Sequence, residues 1–307
     1  MAEALKGSRS TWSLRSLMRS LRSALVRRYW DRAHAAGGVT TWMAEPACRR
    51  RINRRVTGDA GVWPMEWLAE HLRGGPTMDR CLSLGCGTGA LERDLVAKGI
   101  ARRVFGVDSS PRALELAEAA ARAEGMTGIE YVRADLETAE LPDGEFDAAF
   151  CHQSLHHLLE LEAVSAKLSE ALVGPRLLVI DEYTGPARSE WPNEAFERIL
   201  EIWERLPDGV QRNVRLRPPS GRRDPSEAIR SSSILPVLRA EWTELVCRPY
   251  GGQVLAVIYP NLELSRCGES ERAALLDELV ELEEAELEER SFYTFALFSS
   301  PPPGEEA

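Results

Sequence analysis

The stretch "CLSLGCGTGALERDL", residues 81–95, decides the fold of this chain. An apolar run ends at Leu84, and a pattern typical of a helix begins near Ala90. Between them lie three glycines at alternate positions, Gly85, Gly87 and Gly89. Glycine lets a ligand approach the backbone, and the first N–H groups of a helix have no partner within the helix. We therefore expect a nucleotide-type ligand at this turn.

Strand and helix patterns alternate from about residue 78 to residue 183. The predicted strands are "RCLSL", "RVFGVD", "IEYVRAD", "FDAAFC" and "RLLVIDEY", and the stretches between them are rich in Ala, Leu and Glu. Such alternation is typical of parallel strands joined by right-handed crossovers, with helices on both faces. Two further strands, "TELVCRPYGG" and "SFYTFALFSS", flank a helix expected to have leucines inside and glutamates outside. The sequence predicts a doubly wound α/β domain.

These patterns divide the chain into five parts. They are an N-terminal helical arm or lid (1–75), a ligand-binding core (76–186), an inserted helical cap (187–240), C-terminal strands that complete the sheet (241–300) and a disordered tail (301–307). Within the cap we expect one helix that stops at Pro207 and another that starts at Asp224 and Pro225. We expect the cap to bind a second ligand, which would lie beside the nucleotide-type ligand of the core. Arg222, Arg223 and Arg230 can meet an anionic ligand there, although solvated or salt-bridged surface charges are the favoured interpretation.

Composition limits the class of protein. The chain has 307 residues, a net charge of −10, 44% hydrophobic residues and 28% charged residues, which is ordinary for a globular protein. The overall negative charge argues against nonspecific nucleic-acid binding. The six cysteines form no CxxC pair and are interpreted as reduced thiols, so we expect a cytoplasmic location.

The N-terminal arm has the opposite charge, because residues 1–55 carry a net charge of +10. Apolar residues recur there at helical spacing between interleaved arginines: Leu14, Leu17, Met18, Leu21 and Leu25. A helix packed on the main domain is the favoured interpretation. A helix lying on a membrane surface and a cleaved targeting peptide are the alternatives.

Two acidic residues follow predicted strands at the same edge of the sheet. Asp108 ends "RVFGVD", 19 residues after Gly89, where a carboxylate can accept both hydroxyls of a ribose. Asp135 ends the next strand and can accept from an adenine amino group, while the N–H of Leu136 can donate to a ring nitrogen. The glycine spacing is GxGxG and not the GxGxxG typical of dinucleotide sites, so an oxidoreductase is disfavoured.

The segments "LSLGCGTG", "VFGVDSS", "ADLETAELPDGEFDAAF" and "LLVIDEY" together resemble the class I S-adenosylmethionine-dependent methyltransferases. The resemblance covers roughly residues 78–183. It implies a Rossmann-like sheet of seven strands with the last antiparallel, and S-adenosylmethionine as cofactor. It also implies cofactor contacts at Gly85, Gly87, Gly89, Asp108, Ser109, Asp135, Leu136 and His152. One position departs from the family: the acid that usually stands two residues before the first glycine is Ser83 here.

The predicted active site lies after the fourth and fifth strands. "CHQSLHHL" holds His152, His156 and His157, three of the five histidines of the chain. It looks like the segment of sugar and natural-product O-methyltransferases in which a histidine is the general base. Asp181 or Glu182 is then expected to orient that histidine. We expect His156 to face the substrate, and His157 can instead pack on the buried face of the following helix. No metal is predicted, because Gln153 stands where a zinc hydrolase helix would carry its glutamate.

Together these features predict methylation of a small-molecule acceptor, with O-methylation by a histidine base favoured. A nucleic-acid base is disfavoured as acceptor, because no NPPY-like element follows the fourth strand. The alternative is a noncatalytic protein with a degenerate methyltransferase fold that binds S-adenosylmethionine or a partner, which Ser83 keeps open. Membrane-surface contact through the N-terminal helix is possible but not favoured, and the oligomeric state does not follow from the sequence.

Overall fold

A computed structural model describes residues 14–36, 41–72, 78–218, 224–287 and 291–299, without the side chains of residues 14–17, 175, 208, 286 and 287. Within these ranges there are seven strands: β1 (Met78–Leu84), β2 (Ala101–Asp108), β3 (Ile129–Arg133), β4 (Phe146–His152), β5 (Leu172–Tyr183), β6 (Thr243–Gly251) and β7 (Tyr293–Ser299). The helices are α1 (Leu14–Ala35), α2 (Pro46–Thr57), α3 (Pro64–His71), α4 (Ala90–Ala97), α5 (Pro111–Ala123), α6 (Leu161–Ala171), α7 (Asn193–Arg205), α8 (Ile234–Glu241), α9 (Leu255–Ile258) and α10 (Glu269–Leu287). The tail (301–307), Arg222 and Arg223 lie outside the described residues.

The strands form one sheet in the order β3-β2-β1-β4-β5-β7-β6. The first five strands are parallel, and β7 runs antiparallel to both β5 and β6. This confirms the predicted seven-stranded sheet with its last strand antiparallel. The carboxyl ends of β1, β2, β4 and β5 therefore meet at one edge, which is where ligands bind in open α/β sheets.

Helices cover both faces of the sheet, as predicted. Cys81 of β1 packs in the layer that contains Leu95 of α4. Its neighbours Leu82 and Leu84 pack in the opposite layer, with residues of α6 and α8. Successive residues of a strand thus face different layers, as strand geometry requires. This alternation determines which side chains meet at the carboxyl edge.

The N-terminal arm packs across that edge as α1. Two arginines of α1 form ion pairs with the core: Arg22 with Glu137 at 2.6 Å and Arg19 with Glu160 at 2.7 Å. Asp31 accepts a hydrogen bond from the Ser110 hydroxyl, with an oxygen–oxygen distance of 2.6 Å. The favoured interpretation, a helix packed on the domain, agrees with this arrangement. The outward side of α1 exposes more than half of the side chains of Met18, Leu21 and Leu25. None of the described helices is long and apolar enough to cross a membrane.

At two places where the sequence predicts the start of a helix, the α-helix begins several residues later. The helix predicted from Asp224 does not form, because its carboxylate accepts from the backbone N–H of Ser226 at 2.8 Å and Ala228 has a φ of +45°. A side chain that bonds the backbone two residues on favours a turn over a helix. The chain becomes α-helical only at Ile234. Likewise, α6 begins at Leu161, and the histidines before it lie on a short 3₁₀ turn, Leu155–His157.

The acidic helix α10 holds an exception to the predicted pattern of outward glutamates. Glu283 is fully buried. Its carboxylate accepts four backbone N–H groups at 2.7–2.9 Å, those of Gly252, Gln253, Val254 and Leu255. These groups precede or begin α9, where no helical partner is available. Glu283 therefore fixes the chain between β6 and α9 to α10.

Replacing Glu283 by glutamine is expected to destabilise the fold. The amide keeps the size of the side chain but loses the charge. Its NH₂ group is a hydrogen-bond donor and would face backbone N–H groups, which are also donors. We expect the free energy of unfolding to fall by about 3 kcal/mol, the cost of unmaking charge-assisted bonds to buried N–H groups. Chemical denaturation measures this. Glu281→Gln, at an exposed position of the same helix, should change stability by less than about 0.5 kcal/mol; equal effects of the two variants would contradict the assignment.

Candidate active site

The glycine turn has the left-handed backbone that the sequence pattern suggests. Gly85 has a φ of +69° and Gly89 a φ of +75°. A Cβ on Gly89 would lie 2.1 Å from the Tyr131 hydroxyl oxygen, and one on Gly85 would lie 2.5 Å from Ser154 Cβ. Both contacts are too short for any side chain, so both positions require glycine. The backbone N–H of Gly85 also donates to the Val107 carbonyl at 2.8 Å, which ties the turn to β2.

Asp108 joins the turn to the end of β2. Its Oδ2 accepts from the N–H of Gly87 at 3.0 Å, and its Oδ1 accepts from the N–H of Ser110 at 2.8 Å. Burial raises the pKa of Asp108 above its usual value, and these backbone N–H groups offset part of that rise. At the end of β3, Asp135 Oδ1 accepts from the N–H of Glu137 at 3.0 Å. The two acids stand at adjacent strand ends, as the sequence predicts.

A cavity of about 940 Å³ opens at this edge of the sheet. Six of the predicted cofactor residues line it: Gly85, Gly87, Asp108, Ser109, Asp135 and Leu136. Gly89 and His152, which were also predicted, are not among the lining residues. Gly89 instead caps the N-terminus of α4. The structure therefore brings most of the predicted cofactor residues to one cavity.

Helix α1 forms the opposite wall of the cavity, which the sequence analysis did not predict in detail. Trp30 and His34, one helical turn apart, line the cavity together with Arg22. Trp30 meets His157 edge to face, with ring centroids 5.1 Å apart. The described lining residues include none from the predicted cap, 187–240. The expectation that this cap lines the ligand site is therefore not met among the described residues, and α1 covers the cavity instead.

His156 is a buried residue on the 3₁₀ turn and pairs with Glu182. The distance from His156 Nδ1 to Glu182 Oε2 is 2.8 Å. The other carboxylate oxygen of Glu182 accepts from the N–H groups of Ser154 and Leu155 at 2.5 and 2.7 Å. Burial lowers the pKa of His156, and Glu182 more than offsets this, so the pKa lies above the usual value. Glu182 thus fixes both the turn and its imidazole.

His157 occupies the cavity wall. Its Nδ1 lies 3.2 Å from the Ser226 hydroxyl oxygen and 3.4 Å from Asp224 Oδ2. Burial and the neighbouring imidazole of His156 hold the pKa of His157 well below its usual value, which favours the neutral ring. The expected orientations are reversed, because α6 starts too late to carry His157 on its buried face. It is His157 that faces the cavity and His156 that is enclosed.

His152 belongs to a separate pair on the other face of the sheet. Its Nδ1 lies 3.2 Å from Asp181 Oδ2, and the Tyr250 hydroxyl donates to Asp181 Oδ1 at 2.5 Å. Burial lowers the pKa of His152, but the charge of Asp181 raises it above the usual value overall. Because Asp181 and Glu182 are successive residues of β5, they point to opposite layers. Only Glu182 therefore orients a histidine beside the cavity.

Within the described part of the chain, one set of side chains has the spacing of a metal site. Ligand atoms of His156, His157 and Glu227 lie within 4.8 Å of one another. His156 Nδ1 lies 2.8 Å from Glu182 Oε2, and His157 Nδ1 lies 3.2 Å from the Ser226 hydroxyl oxygen, so each imidazole already uses Nδ1 within the protein. The absence of a metal requirement stays a prediction, for which the activity after dialysis against a chelator is the direct measurement.

Comparison with protein families identifies the segment that carries this site. A family model described as a methyltransferase domain matches residues 81–173. Residues 81–173 are therefore similar to a methyltransferase domain. The match begins in β1 and ends in β5, so it includes the glycine turn, both acidic strand ends and the histidine turn. It confirms the resemblance to S-adenosylmethionine-dependent methyltransferases drawn from the sequence. No curated protein matches the chain significantly.

Solved structures agree with this domain at the level of the fold. A geranyl diphosphate C-methyltransferase from Streptomyces coelicolor A3(2), in complex with Mg²⁺, geranyl diphosphate and S-adenosylhomocysteine, is 14% identical, with 91% of this chain and 98% of that chain covered and a TM-score of 0.54. The [4+2]-cyclase SpnF is 17% identical, with 91% and 97% covered and a TM-score of 0.51. Phosphoethanolamine N-methyltransferase 2 of Haemonchus contortus, in complex with phosphomonomethylethanolamine and S-adenosylhomocysteine, is 15% identical, with 90% and 60% covered and a TM-score of 0.51. Two of these three structures hold S-adenosylhomocysteine, in agreement with the predicted cofactor of the methyltransferase domain.

The sequence analysis missed several residues of the site. Asp224 and Ser226 contact His157 from a distant segment, and Glu227 completes the cluster. The pattern "DPSE" carries a signal for the turn, since Asp before Pro with Ser next is typical of a turn. Nothing in it indicates which histidine it contacts. Trp30 and His34 share one face of α1, but that spacing is equally typical of a packed helix.

The two histidine–carboxylate pairs can be separated by NMR titration of the imidazoles. In Asp181→Asn the pKa of His152 should fall, because the charge that raises it is gone, while the pKa of His156 stays unchanged. In Glu182→Gln the pKa of His156 should fall most, and that of His152 should fall less, because the charge of Glu182 also raises the pKa of His152. The five histidines of the chain make the signals assignable. A fall in the pKa of His156 in Asp181→Asn would contradict the pairing described above.

Proposed function

We propose that this chain transfers a methyl group from S-adenosylmethionine to a small-molecule acceptor. The observation that supports this is a single cavity of about 940 Å³ with two unlike walls. One wall holds the glycine turn and two acidic strand ends, and the other holds α1 and His157. The volume is near the upper end of those found for small-molecule sites, so a cofactor and a small acceptor fit side by side.

The residues of the first wall fit the cofactor. No side chain separates the backbone of Gly85 and Gly87 from the cavity, which leaves room for the methionine part. Asp108 would accept hydrogen bonds from the ribose hydroxyls, and Asp135 would accept one from the adenine amino group. The backbone N–H of Leu136 would donate a hydrogen bond to a ring nitrogen of the adenine. When bound, S-adenosylmethionine supplies a sulfonium methyl group that an acceptor atom can displace in line.

For the acceptor, we favour a hydroxyl group with His157 as the general base. A general base must be unprotonated and within reach of the acceptor proton. His157 lines the cavity, and its lowered pKa favours the neutral ring at neutral pH. The proton taken from the hydroxyl group resides on the imidazole and then passes to solvent. Asp224 and Ser226 orient the ring through Nδ1, and His156 with Glu182 positions the turn.

Helix α1 gives the cavity its cover. Trp30 packs against His157, and Arg22 donates to the His157 carbonyl at 3.0 Å. A helix in this position keeps water from the acceptor and favours the dry surroundings in which displacement is fast. Because α1 lies over the cavity, we propose that its movement lets ligands enter and leave.

The second candidate is a protein that binds S-adenosylmethionine without methyl transfer. Ser83 motivates it, since the usual acid is absent there. The similarity of fold to a protein described as a [4+2]-cyclase also shows that methyl transfer is not the only chemistry this architecture carries. Ligand binding without turnover on any acceptor would favour this candidate.

Thermal unfolding with S-adenosylmethionine, S-adenosylhomocysteine and NAD tests the cofactor. A ligand at a hundred times its Kd adds about 2.7 kcal/mol to the stability of the folded state, enough to raise Tm by a few degrees. Both adenosyl compounds should raise Tm, and NAD should not. A shift with NAD alone would revive the oxidoreductase interpretation and overturn the proposal.

Replacement of His157 by alanine tests the general base. Turnover should fall by about a hundredfold or more, the usual contribution of a positioned base, while the Kd for S-adenosylmethionine stays within a few-fold. The control is His71→Ala, at an exposed position of α3. Asp181→Asn should keep most of the activity, since Asp181 contacts His152 on the other face. If His156→Ala is inactive and His157→Ala is fully active, the role of general base belongs to His156.

A further inference from the structure

Glu92 is a buried acid that the proposed mechanism does not use. It lies in the first turn of α4, directly after the glycine turn, and its side chain is fully buried. Neither carboxylate oxygen has a hydrogen-bond partner among the described residues by geometric criteria. Burying a charge without a partner is expensive, and a fold keeps such a group at a site where something compensates the charge.

The surroundings of Glu92 place it under the glycine turn. Ser83 of β1 faces the same layer as Cys81, and its hydroxyl interacts with the Glu92 carboxylate. Ser83 aligns with Gly106 of β2 on one side and Phe150 of β4 on the other, at the centre of the sheet. His152, at the end of β4, also contributes to the electrostatics of Glu92. The carboxylate thus lies between the ends of β1 and β4.

The nearest cation does not neutralise Glu92. Arg93 directs Nη1 to the carbonyls of Thr88 and Gly89 at 2.9 and 2.8 Å, and its Nε lies 2.9 Å from Glu124. The guanidinium group of Arg93 therefore binds the glycine turn and Glu124, which follows α5. Burial raises the pKa of Glu92, and Ser83, the backbone N–H of Glu92 itself, His152 and Arg93 offset only part of that rise. Among the described residues, no cation is hydrogen-bonded to the Glu92 carboxylate.

We propose that Glu92 holds the α-ammonium group of the amino-acid part of the cofactor, directly or through one water. Ser83 cannot supply a negative charge at the carboxyl end of β1, and Glu92 supplies it from the neighbouring helix at the point where the two side chains meet. Gly85 and Gly87, which lie between Ser83 and Glu92 in the sequence, line the cavity, and Ser83 and Glu92 lie behind its lining residues. This inference rests on the proposed function, since it assumes that an adenosyl amino acid occupies the cavity.

The test compares three ligands on the wild-type protein and on Glu92→Gln. S-adenosylmethionine and S-adenosylhomocysteine carry the ammonium group, and 5′-methylthioadenosine lacks the whole amino-acid part. In Glu92→Gln the Kd of the first two should rise roughly tenfold to a hundredfold, the range for a hydrogen bond to a charged group, while that of 5′-methylthioadenosine stays unchanged. Titration calorimetry measures all three. Glu118→Gln, on the exposed side of α5, is the matched control and should change none of them.

A second variant separates charge from shape. Ser83→Asp combined with Glu92→Gln returns a carboxylate to the carboxyl end of β1 and should recover most of the lost affinity. The ligand-free Glu92→Gln protein should be as stable as the wild type or more so, because an unpaired buried charge has been removed. Equal weakening of all three ligands, a strongly destabilised variant, or no change in any Kd would each overturn the role of Glu92. If the wild-type protein binds none of the ligands, the proposed function itself fails.

Discussion

The hydrogen bonds that hold the glycine turn against the end of β2 are the constraint on which the site depends. Val107 accepts from the backbone of Gly85, and Asp108 accepts from that of Gly87. Without these bonds the left-handed residues of the turn would have no fixed position relative to the sheet. With them, the start of α4, the floor of the cavity and the acid that we propose for the ribose are set together. The glycine spacing and the acid 19 residues later are therefore two parts of one structure.

Much of this could be predicted because it depends on local pattern. Alternation of short apolar and longer helical runs specified the parallel strands, and the order of motifs placed the acids at one edge. Ser110 caps α5 and Pro111 is its first residue, a local pattern typical of a helix start. Even the separation of Asp181 from Glu182 follows from strand alternation, although the sequence alone did not show which histidine each would meet.

The rest depends on contacts between distant segments, which have no local signal. Glu283 looks like any glutamate of an acidic helix, yet it binds four N–H groups of a segment about thirty residues before it. Asp224 followed by Pro225 is typical of a helix start. The Asp224 side chain instead accepts a hydrogen bond from the backbone N–H of Ser226, which produces a turn. His157 was expected to follow the period of α6, which begins only at Leu161. The Glu283 contact is tertiary, whereas the turn at Asp224 is a local alternative that competes with the helix start.

Charge is one of the interactions that attach α1 over the cavity, beside the ring contact of Trp30 with His157 and the hydrogen bond of Asp31 with Ser110. Arg22 with Glu137 and Arg19 with Glu160 fasten it to the loops after β3 and β4, and the second of these pairs is well exposed to solvent. Attraction between such exposed charges weakens as the salt concentration rises, because dissolved ions screen it. The Debye length of this screening is about 8 Å at physiological ionic strength. A higher ionic strength therefore weakens the ion pairs that help to hold α1 over the cavity.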